Sequence, residues 1–204
     1  MRNLVSLYRT FASETLLIRQ IFNSATGELG GGSVQERQAR MAAEMVIVRL
    51  YASWELFCRR LVIASAAGKV ATATGVVLPR APGIRRSRDV IPTLMGTYKK
   101  NKYEPEWARA VKCLDAAERL NVANLTTLQA GLGAVTSPAD EIRIVRNFFA
   151  HRSEFSVRTI RTQPWYGSRM KLDVEDLAAR PTAAGTVMNS WIARLHLVAA
   201  AAIQ

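Results

Sequence analysis

The chain has 204 residues, 49% of them hydrophobic and 22% charged: enough to bury a core without disulfides or metal, and too apolar for a disordered tail. Its 28 Lys and Arg against 16 Asp and Glu give a net charge of +12 and a pI near 10.5, a surplus that favours RNA, DNA or anionic lipid through counterion release. Charges at Arg2, Arg9, Glu14 and Arg19 exclude a signal peptide, and no apolar run reaches the roughly 18 residues of a spanning helix, so a cytoplasmic location is expected.

In chain order, Leu4, Leu7, Tyr8, Phe11, Leu17, Ile18 and Ile21 recur at helical spacing, and the glycine-rich stretch Gly30–Ser33 closes this first helix, which belongs to residues 1–33. Nothing breaks a long helix over 34–67, where Ile47, Leu50, Tyr51, Trp54, Cys58, Leu61 and Ser65 form one face. Residues 68–103 change character. Pro79, Pro82, Gly83 and Pro92 forbid a long helix there, while Thr72, Thr74, Val76 and Val77 permit a short extended piece.

Pro105 suits the first turn of a helix carrying Trp107, Val111, Leu114 and Ala117 to about Leu120, and Asn121–Gly133 reads as a short helix. Ser137, Pro138 and Asp140 make a strong start for a helix over 137–153. Thr159–Arg180 is irregular, and a last helix from about Thr182 carries Val187, Trp191, Leu195 and Val198. The expected fold is a single all-α domain over 1–204, a helical bundle with an irregular basic excursion between its second and third long helices. Cys58 and Cys113 lie within helical patterns without CxxC or His partners, so buried free thiols are expected.

The helix over 137–153 divides sharply. At about 100° per residue, Ile142, Ile144, Val145, Phe148 and Phe149 share an apolar arc, interrupted only by Glu141 and Arg152. The opposite arc holds Arg146, Ala150, Arg143, Asn147 and His151, with small Ala150 at its centre, where another helix can approach closely. Arg146 and His151 stand about 140° apart, a poor pair within one copy. A two-fold contact between copies would bring the arginine of one near the histidine of the other.

Histidine is the side chain best suited to move protons near neutral pH, and arginine clamps phosphate oxygens. Together they suit attack by a ribose 2′-hydroxyl on its neighbouring phosphate. The other reading is that Arg143, Arg146 and Arg152 are solvated and His151 is an ordinary histidine near a helix end.

The run Arg146-Asn147-Phe148-Phe149-Ala150-His151-Arg152 resembles the Arg-Asn…His signature of HEPN domains, here with four intervening residues. The upstream helix with Tyr51-Ala52-Ser53-Trp54-Glu55-Leu56-Phe57 is similar to the RiboL-PSP-HEPN group and its near relatives, so the resemblance spans roughly Val34 to the C-terminus. It implies an α-helical bundle, commonly dimeric with the motifs facing each other. Many members are metal-independent ribonucleases of toxin–antitoxin, CRISPR or anti-phage systems, and others bind without cutting. Carried over, Arg146 and His151 are the catalytic pair, Asn147 a supporting polar residue, and Arg143 and Arg152 neighbouring cations. Toxins of a related branch carry a tyrosine two residues after the motif histidine, used for antitoxin-directed nucleotide addition. Ser153 stands there in this chain, which implies a different restraint by any cognate antitoxin or defence-system subunit.

Arg80, Arg85, Arg86, Arg88, Lys99, Lys100 and Lys102, with Tyr98 and Tyr103, make the excursion either an RNA-tracking loop or a solvated basic one. Glu55 either orients Arg146 or His151 or pairs with Arg59 four residues on. No P-loop, dinucleotide glycine fingerprint or metal-ligand spacing occurs, so neither cofactor nor metal is expected. The expected activity is metal-independent cleavage of single-stranded or looped RNA by a homodimer, and the alternative a non-catalytic RNA-binding or partner-binding subunit. Membrane-surface binding is disfavoured, because the basic loop lacks an amphipathic helix to insert.

Overall fold

The computed structural model describes residues 2–29, 34–98, 103–133, 138–183 and 185–204; Gly30–Ser33, Lys99, Lys100, Lys102 and Ser137, named above from the sequence, lie outside them. The chain is all-α. Its helices are α1 (Leu4–Gly27), α2 (Val34–Ala67), α3 (Val90–Thr97), α4 (Ala110–Arg119), α5 (Leu125–Gly133), α6 (Pro138–His151), α7 (Glu154–Arg161) and α8 (Val187–Ala202). Among the described residues no helix is long and apolar enough to cross a membrane.

Packing divides the chain into two compact units: Met1–Ala12, Ser53–Ser137 and Leu195–Gln204 form the first, and Ser13–Ala52 and Pro138–Arg194 the second. Helices α1, α2 and α8 each contribute to both. The α2 face read from spacing is buried at every position from Ile47 to Ser65. On α1 the buried line runs through Leu4, Phe11, Ile18 and Phe22, leaving Leu17 and Ile21 exposed.

In the first unit the rings of Phe11, Trp54 and Phe57 cluster with centroids 5.2–5.8 Å apart. Strand β1 (Arg2–Asn3) pairs in parallel with β2 (Val70–Ala71), and Ala71 bridges to Val77 in the antiparallel sense. The strand is thus Val70–Ala71, before Thr72; of the residues expected to extend, only Val77 pairs, through that bridge, and Thr74 lies in the turn between. The excursion is less irregular than its prolines suggest, because it contains α3. Pro92 is the third residue of that helix, inside the first turn, where a missing N–H breaks no intrahelical bond.

Helix α4 starts at Ala110 and not at Pro105. The preceding turn is fixed by two tertiary hydrogen bonds, Trp54 Nε1 to the Ala108 carbonyl (3.0 Å) and Arg59 Nε to Glu104 (2.7 Å), and by a local one from Trp107 Nε1 to Glu104 (3.0 Å). The buried positions of α4 are accordingly Cys113, Ala116 and Ala117, while Val111 points to solvent. Helix α5 packs on α4, and Gly131 lies against Ala202 so closely that a Cβ would stand 2.6 Å from the Ala202 backbone.

In the second unit Ile142, Val145, Phe148, Ile160, Leu177, Met188 and Trp191 are buried. Helix α6 ends at His151, two residues earlier than the pattern suggests. Arg152 adopts a left-handed conformation (φ 44°), and Ser153 caps α7 by accepting the Ser156 N–H at 3.2 Å. The segment after His151 thus turns a corner into α7, which extends to Arg161, past the Thr159 at which the sequence pattern becomes irregular. A π-helical turn (Glu175–Ala179) and the antiparallel pair β3 (Pro181–Thr182) and β4 (Gly185–Thr186) lead into α8.

Candidate active site on the sixth helix

The apolar arc of α6 is buried as its spacing requires: Ile142, Ile144, Val145, Phe148 and Phe149 are all inside. Each of the two charged residues that interrupted that arc has a partner. Glu141 accepts from Trp191 Nε1 (2.8 Å) and Arg194 Nη1 (3.0 Å) on α8. Arg152 Nη2 reaches both oxygens of Glu44 on α2 (2.6 and 2.7 Å), its guanidinium 5.8 Å from the Phe148 ring centroid. These contacts fix the rotation of α6 against its neighbours within the second unit.

The polar arc is graded. Ala150 and His151 are exposed, whereas Arg143, Arg146 and Asn147 are half-buried. Arg143 is engaged with Asp140 one turn earlier (3.4 Å). Arg146 differs in kind. Its Nη1 donates to Asn147 Oδ1 (2.8 Å), its guanidinium carbon stands 5.7 Å from the buried Tyr51 ring centroid, and its Nε is buried without a hydrogen-bond partner among the described residues. A neutral amide and an aromatic face position this charge without neutralising it. Asn147 therefore sits where a supporting residue should, and Tyr51, read from the sequence as core, is the unforeseen second support. Its helical spacing on α2 signalled burial, and nothing in it signalled a guanidinium.

Glu55 falls in the first unit, whereas Arg146 and His151 fall in the second. The proposed i,i+4 partner of Glu55 is otherwise occupied, since Arg59 bonds Glu104 through Nε (2.7 Å) and Nη2 (3.0 Å). That bond holds the Glu104 carboxyl below its ordinary range.

In the excursion Arg80, Arg85, Arg86 and Arg88 are all exposed. Arg88 lies 3.9 Å from Asp89, which also accepts the Arg86 backbone N–H at 2.7 Å, while Arg80 and Arg85 meet no carboxylate among the described residues. Of the two tyrosines, Tyr103 is 83% exposed and free to stack. Tyr98 is committed: its hydroxyl donates to Asp115 (2.7 Å) and Arg119 covers its ring at 4.5 Å. Burial first, and then the Asp115 bond, push the Tyr98 hydroxyl up to about 12. Asp115 is held low, chiefly by Arg119.

Cys58 and Cys113 are buried free thiols. Burial, and next the hydrogen bond with Cys113, hold the Cys58 thiol well above its usual value, which leaves it inert as a nucleophile. Among the described residues no three His, Cys, Asp or Glu side chains gather as a metal ligand set. Set against family models, curated proteins and solved structures, the chain matches none.

Proposed function

We propose that this chain is a HEPN-type, metal-independent endoribonuclease of the toxin or anti-phage class, acting in the cytoplasm as a homodimer whose α6 helices face each other. The observation that carries the reading is Arg146, a cation held by Asn147 and Tyr51 and left without a carboxylate among the described residues, while Arg143 on the same helix and Arg152 just past its end are paired. A preorganised, unneutralised guanidinium is what a phosphate transition state requires.

In the proposed reaction His151 takes the proton of a ribose 2′-hydroxyl and the 2′-oxygen attacks the adjacent phosphorus. The 5′-oxygen of the next nucleotide leaves and takes a proton. The products are a 2′,3′-cyclic phosphate and a 5′-hydroxyl, and Arg146 balances the charge that builds on the phosphoryl oxygens. Exposed Ala150 at the centre of the arc leaves room for the second copy, which brings its own Arg146 to this His151. Arg80, Arg85 and Tyr103 supply affinity for the strand without choosing its sequence.

A second reading rests on His151 itself, whose exposed ring has no hydrogen-bond partner among the described residues to orient it as a base. In that case the arc only grips phosphate and the chain is a non-catalytic binding subunit. Incubation with total RNA in EDTA separates the two. Cleavage with cyclic-phosphate ends is expected, abolished by Arg146→Ala and by His151→Ala at unchanged helicity. Binding without products supports the second reading, and full activity in both variants overturns the first.

A further inference from the structure

A cleft of about 230 Å³ opens in the first unit where the start of α1 meets the end of α2. It is lined by the apolar side chains of Leu7, Ile63, Ala64 and Val70 and by the cations Arg60 and Lys69. No carboxylate is among the described lining residues. Both cationic side chains are exposed, and neither has an ion-pair partner among the described residues. Ser87, which carries a hydroxyl donor, also lines the cleft, as does Asn3, whose Oδ1 is occupied by the Ser6 N–H at 2.8 Å.

The end of a helix normally repels anions through its free carbonyls. Here two of those carbonyls are already used: Ala64 accepts from the Gly68 N–H (3.1 Å) and Ala66 from the Ala81 N–H (2.9 Å). What remains is two exposed formal positive charges lining the same small cleft as partly buried apolar side chains.

We propose that this cleft is a binding site for a small organic phosphomonoester, its phosphate held by Arg60 and Lys69 and its apolar body laid on Leu7, Ile63 and Ala64. Two unneutralised cations suit a group that carries about −1.5 to −2 near neutral pH better than a single carboxylate. The apolar lining suits a compact ring better than a long chain, because the cleft is too small to enclose one. The site stands on residues of the first unit alone and does not depend on RNA cleavage.

Isothermal titration of the full chain with phenyl phosphate tests it, with phenol, inorganic phosphate and benzoate as comparisons. Phenyl phosphate is expected to bind one to one, with each of the other three weaker by at least about tenfold, the loss of roughly one charge-assisted or apolar contact. In the double variant Arg60→Gln, Lys69→Gln, its affinity should fall by a similar factor at unchanged thermal midpoint. Absence of binding at millimolar phenyl phosphate, inorganic phosphate binding equally well, or unaltered affinity in a folded double variant would each overturn the proposal. The comparisons among ligands use the unmodified chain, so they decide the matter even if the variant fails to fold.

Discussion

Gly68 is the residue at which backbone geometry leaves least choice. It closes α2 with φ +64°, and a Cβ there would stand 2.5 Å from the Arg80 nitrogen and 2.6 Å from the Pro79 carbonyl. Backbone cannot swing aside as a flexible side chain can. Gly68→Ala is therefore expected to cost more than the roughly 1 kcal/mol of left-handed strain alone, on the order of 2–4 kcal/mol. Urea unfolding measures it, and an unchanged midpoint would contradict the packing described. Neighbouring Lys69 is also left-handed (φ 54°) but carries a side chain in the open, so the two positive-φ residues differ in what they tolerate. At the same scale, Arg146 and His151 were legible in the sequence as members of one polar arc. The Arg152–Glu44 pair was not, because its partners are 108 residues apart and no helical period links them.

At the scale of elements, α7 depends on its cap. It is an eight-residue helix whose Ser153 side chain accepts the Ser156 N–H, and short helices draw most of their stability from such ends and from packing. Ser153→Ala should lower stability by about 1 kcal/mol. Amide exchange over Glu154–Val157 should accelerate more than exchange in α6, and uniform exchange across both helices would show that the cap matters little. Periodicity located α2 and the buried arc of α6 because each has a long, single-phase apolar pattern. It does not reveal α3, whose eight residues are too few for a clear period and whose Pro92 is tolerated because it falls in the first turn. At α4 the tertiary hydrogen bonds from Trp54 to Ala108 and from Arg59 to Glu104 override a local signal at Pro105. The helix capped by Ser153 was hidden because its only start signal follows directly on the end of the motif helix.

For the molecule as a whole, stability should depend on pH at both extremes. Glu104 and Asp115 are held below their ordinary values by Arg59 and Arg119 respectively, so folding binds fewer protons at these groups. Their contribution is present above the usual carboxylate range and fades as pH falls through the lowered values. Tyr98 acts at the other end, since its hydroxyl is pushed up to about 12 by burial and the Asp115 bond. Between about pH 10, where an unfolded tyrosine ionises, and pH 12 the unfolded chain loses this proton first, so stability falls as pH rises. In Tyr98→Phe the alkaline decline in urea midpoint should flatten, and absorbance titration should lose one phenol that ionises near pH 12. An identical alkaline slope in variant and parent would remove Tyr98 from the account.

The left-handed Arg152 has a consequence for recognising kin of this chain. Because a single residue turns the backbone from the end of α6 into the Ser153 cap, an insertion there would displace His151 relative to α7, and a deletion would remove the turn itself. The count of residues between a motif histidine and the next capping serine, threonine, asparagine or aspartate is thus set by the geometry of the turn. A pattern that fixes histidine, one turn residue and a capping side chain, preceded by an apolar arc, would pick out homologous corners even where the rest of two chains had drifted beyond alignment.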